Sequence, residues 1–334
     1  MKRILIIAAV LLALLVGAMA AAAYAFHLPT IARIFVSGAA KMQCTNVFVA
    51  GRDPDLAYEQ DFRRLSDPGK YLAIVRPVVN MEDRSVTASL FGLVSSTAIY
   101  REGIGCTAAI HVTPAQLRAQ GEGVPSGVPP GDPDVLWPEG EATLIEAPPP
   151  GVNREALAAA LDRVFTNADP ARPINTRGVA VIYQGRIIAE RYAPGFDVNT
   201  THLSNSVAKS VTSALVGILV GQGRLDLYAP APVAEWRGEN DPRGAITLDN
   251  LMRMSSGLQF QEEYDEVWTD ITRMLADGDL AHYAATRTLE HPPGTHWQYS
   301  TGTSNILGRI VREAAGPDFP TAFAFPRRAL FDRI

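Results

Sequence analysis

LSNSVAKSVTSALVGILVGQGRLDL, residues 203–227, is the stretch on which the reading of the fold turns. Val207, Val211, Ala214, Leu215, Ile218 and Leu219 form a wide apolar stripe at helical spacing. Gly221 and Gly223 stop it, and Ser204 or Asn205 can cap its start. A helix this apolar on most faces is expected inside a domain. Ser206 and Lys209 lie three residues apart in its first turn, so they share a face and their polar atoms can meet. Serine is a poor nucleophile at neutral pH without a base. Desolvation beside an apolar stripe favours a neutral Lys209, which can take the Ser206 proton. The free N–H groups of a helix start favour the negative charge of an oxyanion. The bland alternative is a capping serine followed by a snorkelling lysine. Context favours chemistry: Lys2, Lys41, Lys70 and Lys209 are the only lysines, so Lys209 stands alone in the second half of the chain.

Outward from this helix, the upstream sequence predicts a helix from Asn153, its cap, to about Thr166. A hairpin follows, 178–183 and 186–190 around Gln184-Gly185. Residues 119–151 read as a linker rich in proline and glycine, which fixes too many φ angles and removes too many amide donors for a regular element. Residues 27–118 read as a small β-rich extension. Its strand candidates are Asn46–Ala50, Ser85–Phe91, Ser96–Tyr100 and Thr107–Val112, with a turn at 101–105. Residues 152–334 form the main domain.

Lys2 and Arg3 precede an uncharged apolar run, Ile4–Phe26, so residues 1–26 read as a signal anchor or a cleaved signal peptide. Either places the remainder outside the cytoplasm, membrane-anchored or secreted on the periplasmic side, because the basic pair stays inside. In that compartment Cys44 and Cys106, the only cysteines, are expected to form a disulfide.

Net charge is −5 with no basic block, which excludes nucleic acid as a natural partner. His282, His291 and His296 lack the spacing of a metal pair, and no cofactor is expected. No Gly-x-Ser-x-Gly elbow and no Gly-x-Gly-x-x-Gly fingerprint occurs where it would carry function. Downstream, Trp297–Gly302 follows the turn Pro292-Pro293-Gly294 and precedes a helix over 304–314, so Tyr299 sits in a loop at a helix start. A phenol there can relay a proton between nucleophile and leaving group, or simply pack. The acidic run 262–266 around Tyr264 reads as a solvated loop.

Ser206-x-x-Lys209 with Gly221–Leu227, the segment Ile246–Leu258, and Tyr299 with Gly308 nine positions on resemble the serine β-lactamase and penicillin-binding-protein superfamily. The resemblance runs over residues 150–334 and is strongest to the class C-like esterase and amidase branch, that of 6-aminohexanoate-dimer hydrolase. It implies an α+β, β-lactamase/transpeptidase-like fold, an antiparallel sheet with helices. It implies that Ser206 attacks an amide or ester carbonyl of a small molecule, that Lys209 and Tyr299 move protons, and that water releases the acyl group. Tyr264 is implied in the pocket wall as a substrate contact. The alternatives are a D,D-peptidase or β-lactamase, and a membrane-tethered binding module that keeps the fold without turnover.

Two departures stand out. The superfamily's Tyr-x-Asn is here Tyr299-x-Thr301, which disfavours efficient β-lactam hydrolysis. The third motif, a Lys-Thr-Gly or equivalent strand, has no counterpart before Ile334. The sequence is therefore expected to be incomplete at its C-terminus, and inactive or poorly folded as it stands.

Overall fold

The computed structural model describes residues 17, 27–62, 75–124, 131–167, 169, 174–264, 266 and 268–333. The predicted anchor thus lies outside them apart from Gly17, as do residues 125–130 of the predicted linker. Among the described residues no helix is long and apolar enough to cross a membrane. The chain divides into two compact units, Met1–Ser126 with Leu203–Pro326, and Gly127–His202 with Arg327–Ile334.

The first unit opens with helix α1, Leu28–Cys44, which has proline in its first turn. Val36, Ala39, Ala40 and Cys44, at helical spacing, bury one face. They pack on a four-stranded antiparallel sheet, β1 Val78–Asn80, β2 Ser85–Leu90, β3 Val94–Arg101 and β4 Gly105–Ala108, in that order. Val86, Ala88 and Ala98 meet the helix. Cys44 and Cys106 are bonded to each other, their Cα atoms 6.0 Å apart. The stretch Asn46–Ala50, expected as a strand, is helical instead: α1 continues into a wider turn over Thr45–Val49. Asn46 holds that turn, donating to Asp61 (2.9 Å) and accepting from Arg52 (3.0 Å). The strand expected at 107–112 ends at Ala108, before His111 turns into the left-handed region. Short helices α2, Pro54–Asp61, and α3, Pro114–Gln120, complete the extension.

The second unit holds α4, Arg154–Phe165, capped by Asn153 as expected, and the hairpin β5 Gly178–Tyr183 with β6 Arg186–Tyr192. Arg191 pairs with Asp162 (2.6 Å) and lies over the Phe165 ring, fastening helix to hairpin.

The rest of the first unit is helical: α5 Ala208–Gly221, α6 Leu248–Met252, α7 Asp270–Leu275, α8 Leu280–Ala285 and α9 Thr301–Ala315. Its core includes Leu219, Ile246, Leu251, Phe260, Met274, Ile306 and Ile310. Each such side chain contributes roughly 1.5–3 kcal/mol by leaving water. A Glu235–Arg309–His282 cluster ties α8 and α9 together, with Arg309 bidentate at 2.7 Å to both Glu235 oxygens. The apolar helix α5 is not enclosed within its unit. It packs on α9 and buries Leu215, Val216 and Leu219, while Val207 just before it is 66% exposed.

Candidate active site

Asn205 has φ 43, and the chain then makes a 3-10 turn, Asn205–Val207, before α5 begins. Neither Ser204 nor Asn205 caps the helix with its side chain. The turn leaves the Ser206 hydroxyl exposed, with Lys209 one turn on and half-buried. Lys209 Nζ donates to Ser206 Oγ at 3.0 Å, across the shared face that the three-residue spacing dictates.

Tyr299 and Thr301 reach the same point from a loop 90 residues downstream. That loop is pinned by its backbone. Gln298 N–H donates to the Met254 carbonyl (2.9 Å), its side chain to the Phe260 carbonyl (2.9 Å), and Gly294 N–H to Ser255 (2.8 Å). The Ser255-Ser256-Gly257-Leu258 turn makes this docking possible. Gly257 has φ 78, its carbonyl accepts from Glu290 and His291, and a Cβ there would fall 2.0 Å from the His291 oxygen. Ser300 then caps α9 by accepting from Thr303 N–H (3.0 Å), which fixes Tyr299 just before the helix and Thr301 at its first position.

The geometry gathers three side chains, Ser206, Tyr299 and Thr301, around the Lys209 amine. Lys209 Nζ also donates to Thr301 Oγ1 (3.2 Å) and lies 4.9 Å from the Tyr299 ring centre. Hydrogen bonding to Lys209, then to Ser206, holds the Tyr299 phenol below its ordinary pKa. A cavity of about 490 Å³ opens over these groups, lined by Ser206, Lys209, Tyr299, Met254, Ser304 and Leu307 among others.

Glu262, which lies in a run that reads as a solvated loop, is a structural member of the cluster. Its two oxygens accept from Thr301 N–H (2.8 Å) and Thr301 Oγ1–H (2.5 Å). The second oxygen also accepts from Tyr264 Oη (3.0 Å). Burial, then the Glu262 charge, push the Tyr264 phenol up to about 12. Because Thr301 gives its proton to Glu262, its lone pairs face Lys209. A threonine hydroxyl backed by a carboxylate thus stands where the resembling superfamily often carries an asparagine amide. No local signal marks this pairing, which spans 39 residues.

The histidines lie apart from this cluster. His282 bonds Glu235, and His291 and His296 lie ring against ring at 4.2 Å. Among the described residues no group of three or more His, Cys, Asp or Glu is placed to hold a metal ion.

The Beta-lactamase family model matches residues 161–324. The chain is 29% identical over 154 residues to 6-aminohexanoate-dimer hydrolase of Paenarthrobacter ureafaciens, covering 42% of this chain and 38% of that protein. It therefore spans about two-fifths of the length of this curated relative. Among solved structures it resembles a putative 6-aminohexanoate-dimer hydrolase from Bacillus anthracis at 23% identity. That match covers 53% of this chain and 47% of that one, with a TM-score of 0.40.

Proposed function

Since residues 161–324 are a β-lactamase family domain of the serine β-lactamase/transpeptidase-like superfamily, we propose that this protein is a serine hydrolase cleaving small amides or esters through an acyl-enzyme on Ser206. The observation that carries the reading is the amine of Lys209, 3.0 Å from the Ser206 hydroxyl and over the ring of Tyr299. The relative's printed activity, on the 6-aminohexanoate dimer, supports an amide substrate.

In this reading Ser206 Oγ bonds to the carbonyl carbon and its proton passes to Tyr299, whose phenol is already biased toward the anion. Lys209 stabilises that anion and holds both oxygens in line. The tetrahedral adduct collapses, the carbon–nitrogen or carbon–oxygen bond breaks, and Tyr299 returns the proton to the leaving group. Water then repeats the sequence to free the acid and Ser206. Tyr264, implied by the resemblance as a substrate contact, is not among the residues that line the cavity over Ser206; its hydroxyl instead donates to Glu262, behind Thr301. Thr301 lacks the side-chain amide that the superfamily often carries at this position, which disfavours efficient β-lactam hydrolysis.

The protein works outside the cytoplasm, tethered by residues 1–26. The Cys44–Cys106 bond supports an oxidising compartment.

The test is a substrate panel followed by intact mass. Linear amides and esters are expected to give turnover, or a transient acyl adduct, that Ser206→Ala abolishes. A stable penicillin adduct with no turnover of linear substrates would overturn the assignment in favour of a penicillin-binding protein.

A further inference from the structure

The turn between β2 and β3 is Phe91-Gly92-Leu93. Phe91 (φ 51) and Gly92 (φ 70) both occupy the left-handed region, and Leu93 N–H closes the turn on the Leu90 carbonyl at 3.0 Å. That backbone favours Asn, Asp or Gly, yet a bulky aromatic stands at its first position. Phe91 is 83% exposed and Leu93 87% exposed, so neither packs in the fold. Not one charged residue occurs from Ser85 to Tyr100. The fold explains neither the residue types nor the missing charge.

Their position does. Ser37 in α1 donates to Ser96 in β3 (3.0 Å), and Cys44 is bonded to Cys106, the partner of Tyr100 in the β3–β4 ladder. The helix therefore runs in the same direction as β3. From Ser37 back to Leu28 is a rise of about 13 Å along the helix. From Ser96 back to Val94, the start of β3, is about 7 Å along the strand, and the turn projects beyond it. Leu28, itself 50% exposed, thus lies toward the same end as the Phe91-Gly92-Leu93 tip. The uncharged run Ile4–Phe26 leads directly into this end of α1. The opposite end of the sheet is charged: exposed Glu82, Asp83 and Arg84 lie there, with Arg84 paired to Glu102 at 3.8 Å. Arg33, five residues after Leu28, is exposed, and a cation at that height suits an anionic headgroup layer.

We infer that the Phe91-Gly92-Leu93 tip and the first turn of α1 form one apolar end that rests in the interfacial layer of a lipid bilayer. The inference rests on the reading that residues 1–26 tether the chain. It gives the extension a second attachment point, and with it a fixed orientation. Exposed aromatic and aliphatic side chains at a hairpin tip suit that layer, where apolar groups leave water while the strands stay outside. His27 stacks on Trp268 at 4.2 Å, so the loop beside the active site is held near the same end.

The test uses the full chain reconstituted in phosphatidylcholine–phosphatidylglycerol vesicles. A single environment-sensitive fluorophore is attached through Leu93→Cys, Phe91→Cys or Glu102→Cys, with the native disulfide intact. Labels at 93 and 91 are expected to shift to the blue and to be quenched by lipids carrying a doxyl group near the headgroup. The label at 102 should do neither. Vesicle flotation of the same samples reports the tether separately. Chains that float while the labels at 91 and 93 remain water-exposed overturn the hairpin inference and leave the tether standing. Chains that do not float overturn both. A tip that is water-exposed on protein-free vesicles, yet shielded only when a second protein is added, assigns it to a protein partner and likewise overturns the proposal.

Discussion

Replacing Glu262 with glutamine is the most informative single change at the site. The carboxylate accepts three hydrogen bonds, two from Thr301 and one from Tyr264. Glutamine keeps the shape but can accept through only one atom, and its NH2 group would face the Thr301 N–H. The Thr301 N–H is then left without an acceptor, and the Thr301 hydroxyl keeps only a neutral amide oxygen as its acceptor, so its hold on Lys209 loosens. Hydrogen bonds to charged groups contribute about 1.5–3 kcal/mol against 0.5–1.5 for neutral ones. A net loss of about 1–2 kcal/mol in the positioning of Lys209 follows. At about 1.4 kcal/mol per decade, that is a roughly 5- to 30-fold slower acylation of Ser206. The assay is the pseudo-first-order rate of labelling by an excess of a fluorophosphonate, with circular dichroism and thermal melting to confirm the fold. Tyr264 supplies an independent readout. Removing the Glu262 charge lowers its titration midpoint from about 12, because that charge helps to raise it. A folded Glu262→Gln protein that labels at the unaltered rate with an unaltered Tyr264 midpoint would refute the coupling from Glu262 through Thr301 to Lys209.

Three further outcomes follow from the same geometry. Lys209→Ala should move the Tyr299 midpoint upward, since Lys209 is the largest cause of its depression; spectrophotometric titration reads this, and the alkaline rise of any residual acylation moves with it. Glu235 is held at about 2, against an ordinary 4.5, chiefly by Arg309. Its contribution, on the order of 2 kcal/mol, is therefore present above pH 4.5 and lost as pH falls toward 2. Arg309→Met should flatten that acid limb in denaturant melts while lowering stability at neutral pH. Gly257→Ala should destabilise by about 2 kcal/mol or more, because a Cβ there combines a left-handed backbone with a clash at the His291 oxygen; chemical denaturation measures it.

The local features of this protein were legible in its sequence. Asn153 caps α4, Gln184-Gly185 turns the hairpin, and Ser206 and Lys209 meet because three residues make nearly one helical turn. Tyr299 was placed before a helix by its turn residues, and it stands there. What escaped was set by partners distant in sequence. Glu262 reads as one acid among several until Thr301 docks against it. Helix α1 is hard to read because its buried side mixes Val36, Ala39, Ala40 and Cys44 with the polar Ser37 and Gln43, which interrupts the hydrophobic period. Asn46–Ala50 carries β-branched and aromatic residues, yet it follows α1 without a stop and is fixed as a helical turn by Arg52 and Asp61. The exposure of α5 is not legible in its sequence, because apolar composition says that a face avoids water, not which neighbour covers it.

We propose Ser206 as the nucleophile, activated by the Lys209–Tyr299 pair. Peptide mapping after fluorophosphonate treatment tests it most directly. A single adduct is expected on the peptide carrying Ser206, lost in Ser206→Ala and forming faster as pH rises through the Tyr299 midpoint. An adduct on Ser204, Ser210 or Ser304 with Ser206 unmodified, in a folded protein, would contradict it.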